Sequence, residues 1–296
     1  MNLTQLRAFH LVARDRSFTA AGRAAGVSQP TISGQVRALE DTYRIRLFER
    51  RARGARMTDL GQRLFAITSR LFVLEDEAQS LLSGAKVLAR GHLRIAADSA
   101  YHVMPVLAEL RTRHEGVTFS LAIGNSAAVL KQLLDFEVEV AVMAKSVSDP
   151  RLHSLELRRD ELILFVPRDH AWAGRRRLKL RDLAGQPIVL RERGSITREM
   201  FEQALADNNI RPGSIIDVQT REGVREAVAA GFGIGVVFHS EFGNDPRFVP
   251  IALADDKISV AEYAVCLQEN LRLGMVRAFM DAAGALAAGG SRRKPD

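Results

Sequence analysis

The stretch SFTAAGRAAGVSQPTISGQVRALE, residues 17–40, constrains the fold more tightly than any other part of the chain. Ser17 or Thr19 opens a short helix with the small apolar face Phe18, Ala21 and Ala25, which lets another helix approach closely. Gly26 then supplies the left-handed conformation that ends it. After the Gly26-Val27 turn, Ser28 caps a further helix. Pro30 just inside its start is tolerated, because first-turn amides have no intrahelical acceptor and the ring's fixed φ suits the helix. Ile32, Val36 and Leu39 form its buried face. The opposite face, Gln29, Thr31, Ser33, Gln35 and Arg37, offers amide, hydroxyl and guanidinium groups, which read base edges and phosphates in a major groove. Two short helices with a glycine-containing turn, the second polar outward at its N-terminal end, form a helix-turn-helix.

The flanks extend this unit. Leu6, Phe9 and Val12 recur at helical spacing after Thr4, an N-cap, which predicts a first helix over about 4–15. Downstream, LFERRARGARMT sets Arg50, Arg51, Arg53 and Arg56 around Gly54, the pattern of a wing hairpin lying on the sugar-phosphate backbone. Residues 1–58 hold eleven arginines and no lysine against four acids, Asp15, Glu40, Asp41 and Glu49, an excess equal to the +7 of the whole chain of 296 residues. A compact basic head on a neutral body is the electrostatic footprint of nucleic-acid binding.

The order FHLVARDRSFTAA, then VSQPTISGQVRALE, then LFER and MTDLG resembles the N-terminal winged helix-turn-helix of LysR-type transcriptional regulators. The resemblance extends over nearly the whole chain. It implies that Gln29, Pro30, Thr31 and Ser33 face bases, while Arg37 and the wing arginines Arg50, Arg51 and Arg53 hold phosphates. The sequence departs from the family at position 34, often basic there and Gly34 here, so a contact is removed.

From Thr58, Leu60, Leu64, Ile67, Leu71, Leu74, Ala78 and Leu81 alternate four and three apart, a heptad seam that wants a partner helix. Phe65, Phe72 and Leu82 lie beside the seam and can instead pack on the head. The seam predicts homodimerisation through Leu60, Leu64, Ile67, Leu71 and Leu74, setting two recognition helices one helical turn apart on a partly palindromic site. The resemblance adds tetramers built from two dimers. Ser83-Gly84 and Arg90-Gly91 read as a hinge.

Beyond the hinge, short apolar strands alternate with single amphipathic helices, which argues for a parallel α/β sheet. HLRIAA precedes a helix opened by Pro105; VTFSLAIG, a helix in AAVLKQLLDF and VEVAVMA follow. After LILFVP the scheme restarts with PIVLRE, a helix over 195–208, SIIDVQ, a helix over 221–230 and GIGVVF, and AEYAVCLQ with a helix over 271–286 returns to the first half. Two lobes joined by two crossing strands make a periplasmic-binding-protein-like effector domain, which is what the resemblance implies for 91–288. The expected organisation is a winged helix-turn-helix at 1–58, a linker helix and hinge at 59–90, lobe I at 91–161 and 267–288, lobe II at 162–266, and a disordered tail at 289–296.

In such a fold, ligands bind beyond the carboxyl ends of the strands, where helix N-termini favour anions. The candidates are Ser99, Tyr101 and His102 after the first strand, Asn125 and Ser126 after the second, Ser195 and Thr197 after PIVLRERG, and Thr220 with Arg221. Ser126, Ser195 and Thr220 are also ordinary N-caps, and a surface position is the commoner fate of a histidine such as His102. The resemblance places Ser99, Ser126 and Ser195 at the family's usual effector positions. DSAYHVMPVL, IGNSAAVLKQLLDFEVEVAV and REAVAAGFGIGVV are similar to a subgroup associated with 2-aminoethylphosphonate catabolism. A phosphonate suits hydroxyl-lined helix starts with Arg221 as partner, and the residues leave a carboxylate equally open.

Other classes find little support. There is no G-x-S-x-G elbow and no P-loop, GFGIG lacks the G-x-G-x-x-G spacing, and the seven histidines show no H-x-x-x-H pattern, so neither enzyme activity, a cofactor nor a metal is expected. Cys266, the single cysteine, sits in YAVCL as a packing residue and suits a reducing compartment. The start lacks the apolar core of a signal peptide and the longest apolar run is too short to span a bilayer, so a cytoplasmic location is expected. RRRLK at 175–179 reads as a solvated loop. The rival function is a cytoplasmic small-molecule-binding protein whose basic head has no specific DNA role.

Overall fold

The computed structural model describes residues 2–49, 55–82, 92–144, 147–254 and 258–290. The wing arginines Arg50, Arg51 and Arg53, the hinge glycines Gly84 and Gly91, and positions 291–296 of the expected tail lie outside the described residues. The chain divides into two compact units, one built around Met1–Leu88 and one around the residues from Ala89 onward.

In the first unit, α1 (Leu3–Asp15), α2 (Phe18–Ala24) and α3 (Gln29–Tyr43) enclose a core of Leu6, Phe9, Val12, Ala21, Ile32, Val36 and Leu39. The first helix starts one residue earlier than Thr4 predicts, because Asn2 is the cap: its Oδ1 accepts from the Thr4 amide at 2.9 Å. Phe48 and Met57 form an antiparallel bridge at the base of the wing. The long helix α4 (Asp59–Leu82) contributes Phe65 and Phe72 to the same core.

The second unit carries one mixed sheet. Lobe I contains β1 (His92–Ala97), α5 (Ala100–Arg113), β2 (Thr118–Ile123), α6 (Ser126–Leu134) and β3 (Val140–Met143). The 16-residue strand β4 (Leu152–Pro167) crosses into lobe II, with β5 (Arg177–Leu178), β6 (Pro187–Arg191), α7 (Ile196–Asp207), β7 (Ser214–Val218), α8 (Arg221–Ala229), β8 (Ile234–Phe238), α9 (His239–Phe242) and β9 (Phe248–Leu253). β10 (Ser259–Leu267) and α10 (Gly274–Gly290) lead back. The strand order is β2-β1-β3-β10-β4-β8-β6-β7, with β9 joining β4 to β5. The pairs within each lobe that flank β1 and β6 are parallel, as the strand-helix alternation predicts, whereas β10 and β4 run antiparallel to their neighbours because they are the crossings. Along β4, Leu162, Leu164 and Val166 enter the core beneath Phe201 while Ile163 and Phe165 face Val224 and Val228, so helices cover both faces.

Four expectations need correction. The helix after the first strand is not opened by Pro105 but begins at Ala100, with Pro105 in its interior. Pro105 and Tyr101, whose carbonyl loses its intrahelical donor, both lie on the exposed face, away from the buried Val103, Val106 and Leu107. The lobe boundary at 266/267 falls too late, since Tyr263–Cys266 already pair with β3 of lobe I. RRRLK is not wholly a solvated loop: Leu178 is buried and its backbone pairs with β9. The last helix starts at Gly274, because Gln268–Arg272 forms a 3-10 turn, and it runs through Gly290, so positions 289 and 290 are helical rather than tail.

Candidate functional site

The head presents α3 through a set of local bonds. Ser28 Oγ accepts from the Thr31 amide at 3.3 Å and lies 2.8 Å from the Thr31 hydroxyl. Gln29, Pro30, Thr31 and Arg37 are exposed and Ser33 is half-buried, while Ile32, Val36 and Leu39 are buried on the opposite side. Gly34 is exposed with no atom within 4 Å of where a Cβ would stand. At the other end of α3, Glu40 is buried; its Oε1 accepts from the amides of Leu47 (2.6 Å) and Phe48 (3.2 Å), and Arg46 Nη1 donates to Oε2 at 3.2 Å. Thr58 donates to the Arg46 carbonyl at 2.8 Å and accepts from the Gly61 amide at 3.1 Å. A side chain at Gly61 would collide with the Leu47 carbonyl. Glu40, Thr58 and Gly61 thus fix the segments around Leu47 and Met57 against α3.

On α4 the heptad seam is divided. Leu60, Ile67 and Leu74 are exposed, Ile67 at 62%, whereas Leu64 and Leu71 are half-buried against the head core. Seven-residue spacing sets the exposed three in one row.

The second site lies at the junction of the lobes. Arg221, at the start of α8, donates Nη1 to the Asp98 carbonyl of lobe I at 2.6 Å, and Nε and Nη2 to Glu241 of lobe II at 2.9 and 2.7 Å. Asn125 of lobe I donates to Glu192 of lobe II at 3.1 Å while its Oδ1 caps α6 through the Ala128 amide at 2.9 Å. Ser126 donates to Asp98 Oδ2 at 2.6 Å, and the Ala144 amide donates to the same oxygen at 2.8 Å. His102, turned inward from α5, holds Nε2 3.2 Å from Glu262 and 3.7 Å from Glu241. It is buried, not at the surface. Beside Arg221 opens a small cleft with a floor of Phe165, Val224, Val236 and Val237 and a polar wall of Arg191, Thr197, Arg221, Arg225 and Glu241.

The charges are unevenly matched. Burial disfavours the Glu241 carboxylate, yet the neighbouring His102 ring and Arg221 guanidinium outweigh it and hold its pKa at about 2. Glu192 is likewise lowered against burial by Arg191 and Asn125. Glu262 is pushed up to about 10 by burial and by the charges of Asp98 and Glu241. Asp98 is raised by burial despite its bonds from Ser126 and Ala144. Cys266 is buried and its thiol is pushed up to about 12, the state of a packing residue.

Of the effector candidates, the fold brings Ser99, His102, Ser126 and Arg221 around Asp98, and Thr197 into the cavity wall. Ser195 is buried at the N-cap of α7 without a side-chain cap bond. Tyr101 is exposed, and its hydroxyl lies beside Gly243 of lobe II. Thr220 is exposed, caps α8 through the Gly223 amide at 3.0 Å and does not line the cavity. Sequence reasoning misses Asp98, Arg191, Glu241 and Glu262. The one signal for Glu262 is a carboxylate inside the apolar strand AEYAVCLQ, and the register shift at Glu262/Tyr263 is where β10 kinks beside it. Among the described residues no group of acids, histidines and cysteine has the arrangement of a metal site, and no helix is long and apolar enough to cross a membrane.

Two family models match the chain: LysR substrate binding domain over residues 87–288, and bacterial regulatory helix-turn-helix protein, lysR family, over residues 3–62. The RuBisCO operon transcriptional regulator of Allochromatium vinosum is 32% identical over 241 residues, covering 80% of this chain and 79% of that protein. A full-length OxyR variant from Pseudomonas aeruginosa has the same fold, with a TM-score of 0.82 at 19% identity over 100% of this chain and 99% of that one. Full-length CbnR complexed with its target DNA matches with a TM-score of 0.64 at 21% identity, over 97% and 100% of the two chains. The relative's name is that of a transcriptional regulator, not an enzyme, and no phosphonate appears in these names. The helix-turn-helix match removes the rival of a binding protein with an incidental basic head, and the chain belongs to the LysR family of bacterial transcriptional regulators.

Proposed function

We propose that α3 enters the major groove of promoter DNA, with Gln29, Pro30, Thr31 and Ser33 toward base edges and Arg37, Arg50, Arg51 and Arg53 toward phosphates. The observation that carries this reading is the capped N-terminal half of α3, which leaves Gln29, Thr31 and Arg37 exposed while its apolar face is spent in the core. The row Leu60, Ile67 and Leu74, with Leu64 and Leu71 beside it, supports pairing of two copies through α4, and hence a partly palindromic site. CbnR in complex with its target DNA is a precedent of the same fold. The effector domain then binds a small metabolite between its lobes. Closure of the lobes is the two-state element through which that metabolite changes DNA binding.

The specific effector we propose bears an anionic group, a phosphonate such as 2-aminoethylphosphonate being the finest form of the reading. Arg191, Arg221 and Arg225 at one cavity support it. The test is electrophoretic retardation of the DNA upstream of the gene, across a salt series and with candidate metabolites. The expected result is salt-dependent retention, lost when Gln29, Ser33 and Arg37 are replaced by alanine, and altered by 2-aminoethylphosphonate. Retention that ignores salt and survives the triple substitution overturns the DNA reading. A shift that follows other metabolites but not 2-aminoethylphosphonate overturns only the phosphonate.

A further inference from the structure

We propose that the effector carries an ammonium group, and that this group binds between Asp98 and Glu262 at the lobe junction, beside Ser99 and His102. The proposal rests on the reading that a small molecule binds between the lobes, and it adds the chemistry that would select one.

The other buried carboxylates of the junction have partners. Glu241 takes Arg221, Glu192 takes Arg191 at 2.8 Å, and Asp160 accepts from the amides of Glu161 (2.9 Å) and Ser240 (3.2 Å) and from the Ser240 hydroxyl. Asp98 and Glu262 have no arginine or lysine at ion-pair distance among the described residues. Asp98 Oδ1, Glu262 Oε2 and His102 Nδ1 are buried without a hydrogen-bond partner, in residues 3%, 1% and 5% exposed. Orphaned buried polar atoms of this kind are rare in proteins, and two of the three are carboxylate oxygens gathered at one place. An alkylammonium supplies three donors and one positive charge, which is what two neighbouring carboxyl groups lack. The guanidinium of Arg221 is turned to Glu241 and to the Asp98 carbonyl and makes no bond to these carboxyl oxygens. Glu241 lines both this cluster and the cavity, so an effector in the cavity reaches the cluster along it.

Binding has a proton balance. In the empty junction Glu262 keeps its proton, surrounded by Asp98 at the end of β1, His102 on α5, Asp160 on β4, Arg221 on α8 and Glu241 on α9. When the ammonium enters, that proton leaves to solvent, one cation exchanged for another. Affinity for an amine therefore rises about tenfold per pH unit across pH 6–9, where free Glu262 is protonated and the amine is charged.

The full-length protein is melted with ethylammonium chloride against equal sodium chloride at pH 6, 7.5 and 9, and separately with sodium ethylphosphonate. Ethylammonium should raise the Tm beyond sodium chloride, by an increment that grows with pH. Glu262→Gln, which replaces a protonated acid with an isosteric amide, and Asp98→Asn should each abolish the increment. An ethylammonium effect equal to that of sodium chloride at all three pH values overturns the proposal, as does an increment that survives both substitutions. If ethylphosphonate stabilises while ethylammonium does not, the effector cleft stands and the ammonium site falls.

Discussion

Replacing Glu40 with alanine removes the acceptor that joins α3 to the Leu47-Phe48 segment. The Glu40 carboxylate is buried and takes the amides of Leu47 and Phe48, both themselves buried. Without it, two buried donors are orphaned at about 1–3 kcal/mol each. Relief from burying a carboxylate, whose charge Arg46 only partly balances, returns part of that. A net loss of about 2–4 kcal/mol follows. The only tryptophan, Trp172, packs against the lobe II core, so its fluorescence reports the effector domain, while far-UV circular dichroism also follows α1–α4 of the head. With a urea slope of about 1.5 kcal/mol per M for a unit this size, the head's midpoint falls by about 1.5–2.5 M, and the Trp172 transition stays in place. Glu40→Gln, which keeps one acceptor oxygen, should lose less than half as much. A head midpoint lowered by under about 0.5 M, or an equal loss in Glu40→Gln, would show that the two amides find other partners and that this carboxylate does not hold the Leu47-Phe48 segment.

Three further outcomes are open to measurement. Gly34→Ala meets no atom and lies in a helix interior, so it should stabilise the head by about 1 kcal/mol and raise its melting midpoint by about 4–8 °C. Gly61→Ala forces a methyl group against the Leu47 carbonyl, a backbone group with little freedom to yield, and should destabilise the head by about 1–3 kcal/mol and weaken retention of DNA. Glu262 has a folded pKa of about 10, above its ordinary 4.5, so the stability it contributes is full below pH 4.5 and declines as pH rises toward 10. Glu262→Gln should flatten that decline and melt at least about 3 °C higher than the unsubstituted protein at pH 9, read by Trp172 fluorescence. Glu241, held at about 2, acts in the opposite sense: its contribution is full above pH 4.5 and is lost as pH falls toward 2.

What was legible in the sequence is what local spacing dictates. Ser28, Pro30 and the Ile32, Val36, Leu39 stripe act within a few residues of one another, and the structure has a helix beginning at Gln29 with those three buried. The alternation of strands and helices likewise needs only period and punctuation. Pro105 misleads because local chemistry favours a proline at a helix start, whereas the packing of Val103 and Val106 on the same turn holds the helix together through it. The junction is a harder case. Asp98, Glu241 and Glu262 belong to three segments far apart in the chain, and each alone looks like a solvated acid at a strand end, a helix start or a strand's outer face. They become a cluster only because β4 and β10 cross between lobes and bring the end of β1 against α9. The kink at Glu262/Tyr263 then falls beside the one carboxylate whose burial no pattern of alternation predicts. Burial raises Asp98 and Glu262, while His102 and Arg221 packed against Glu241 lower it, and both the burial and the packing are properties of the topology. The charge balance of the lobe junction therefore follows from the strand crossings, while the net basic charge of the head is read from composition alone.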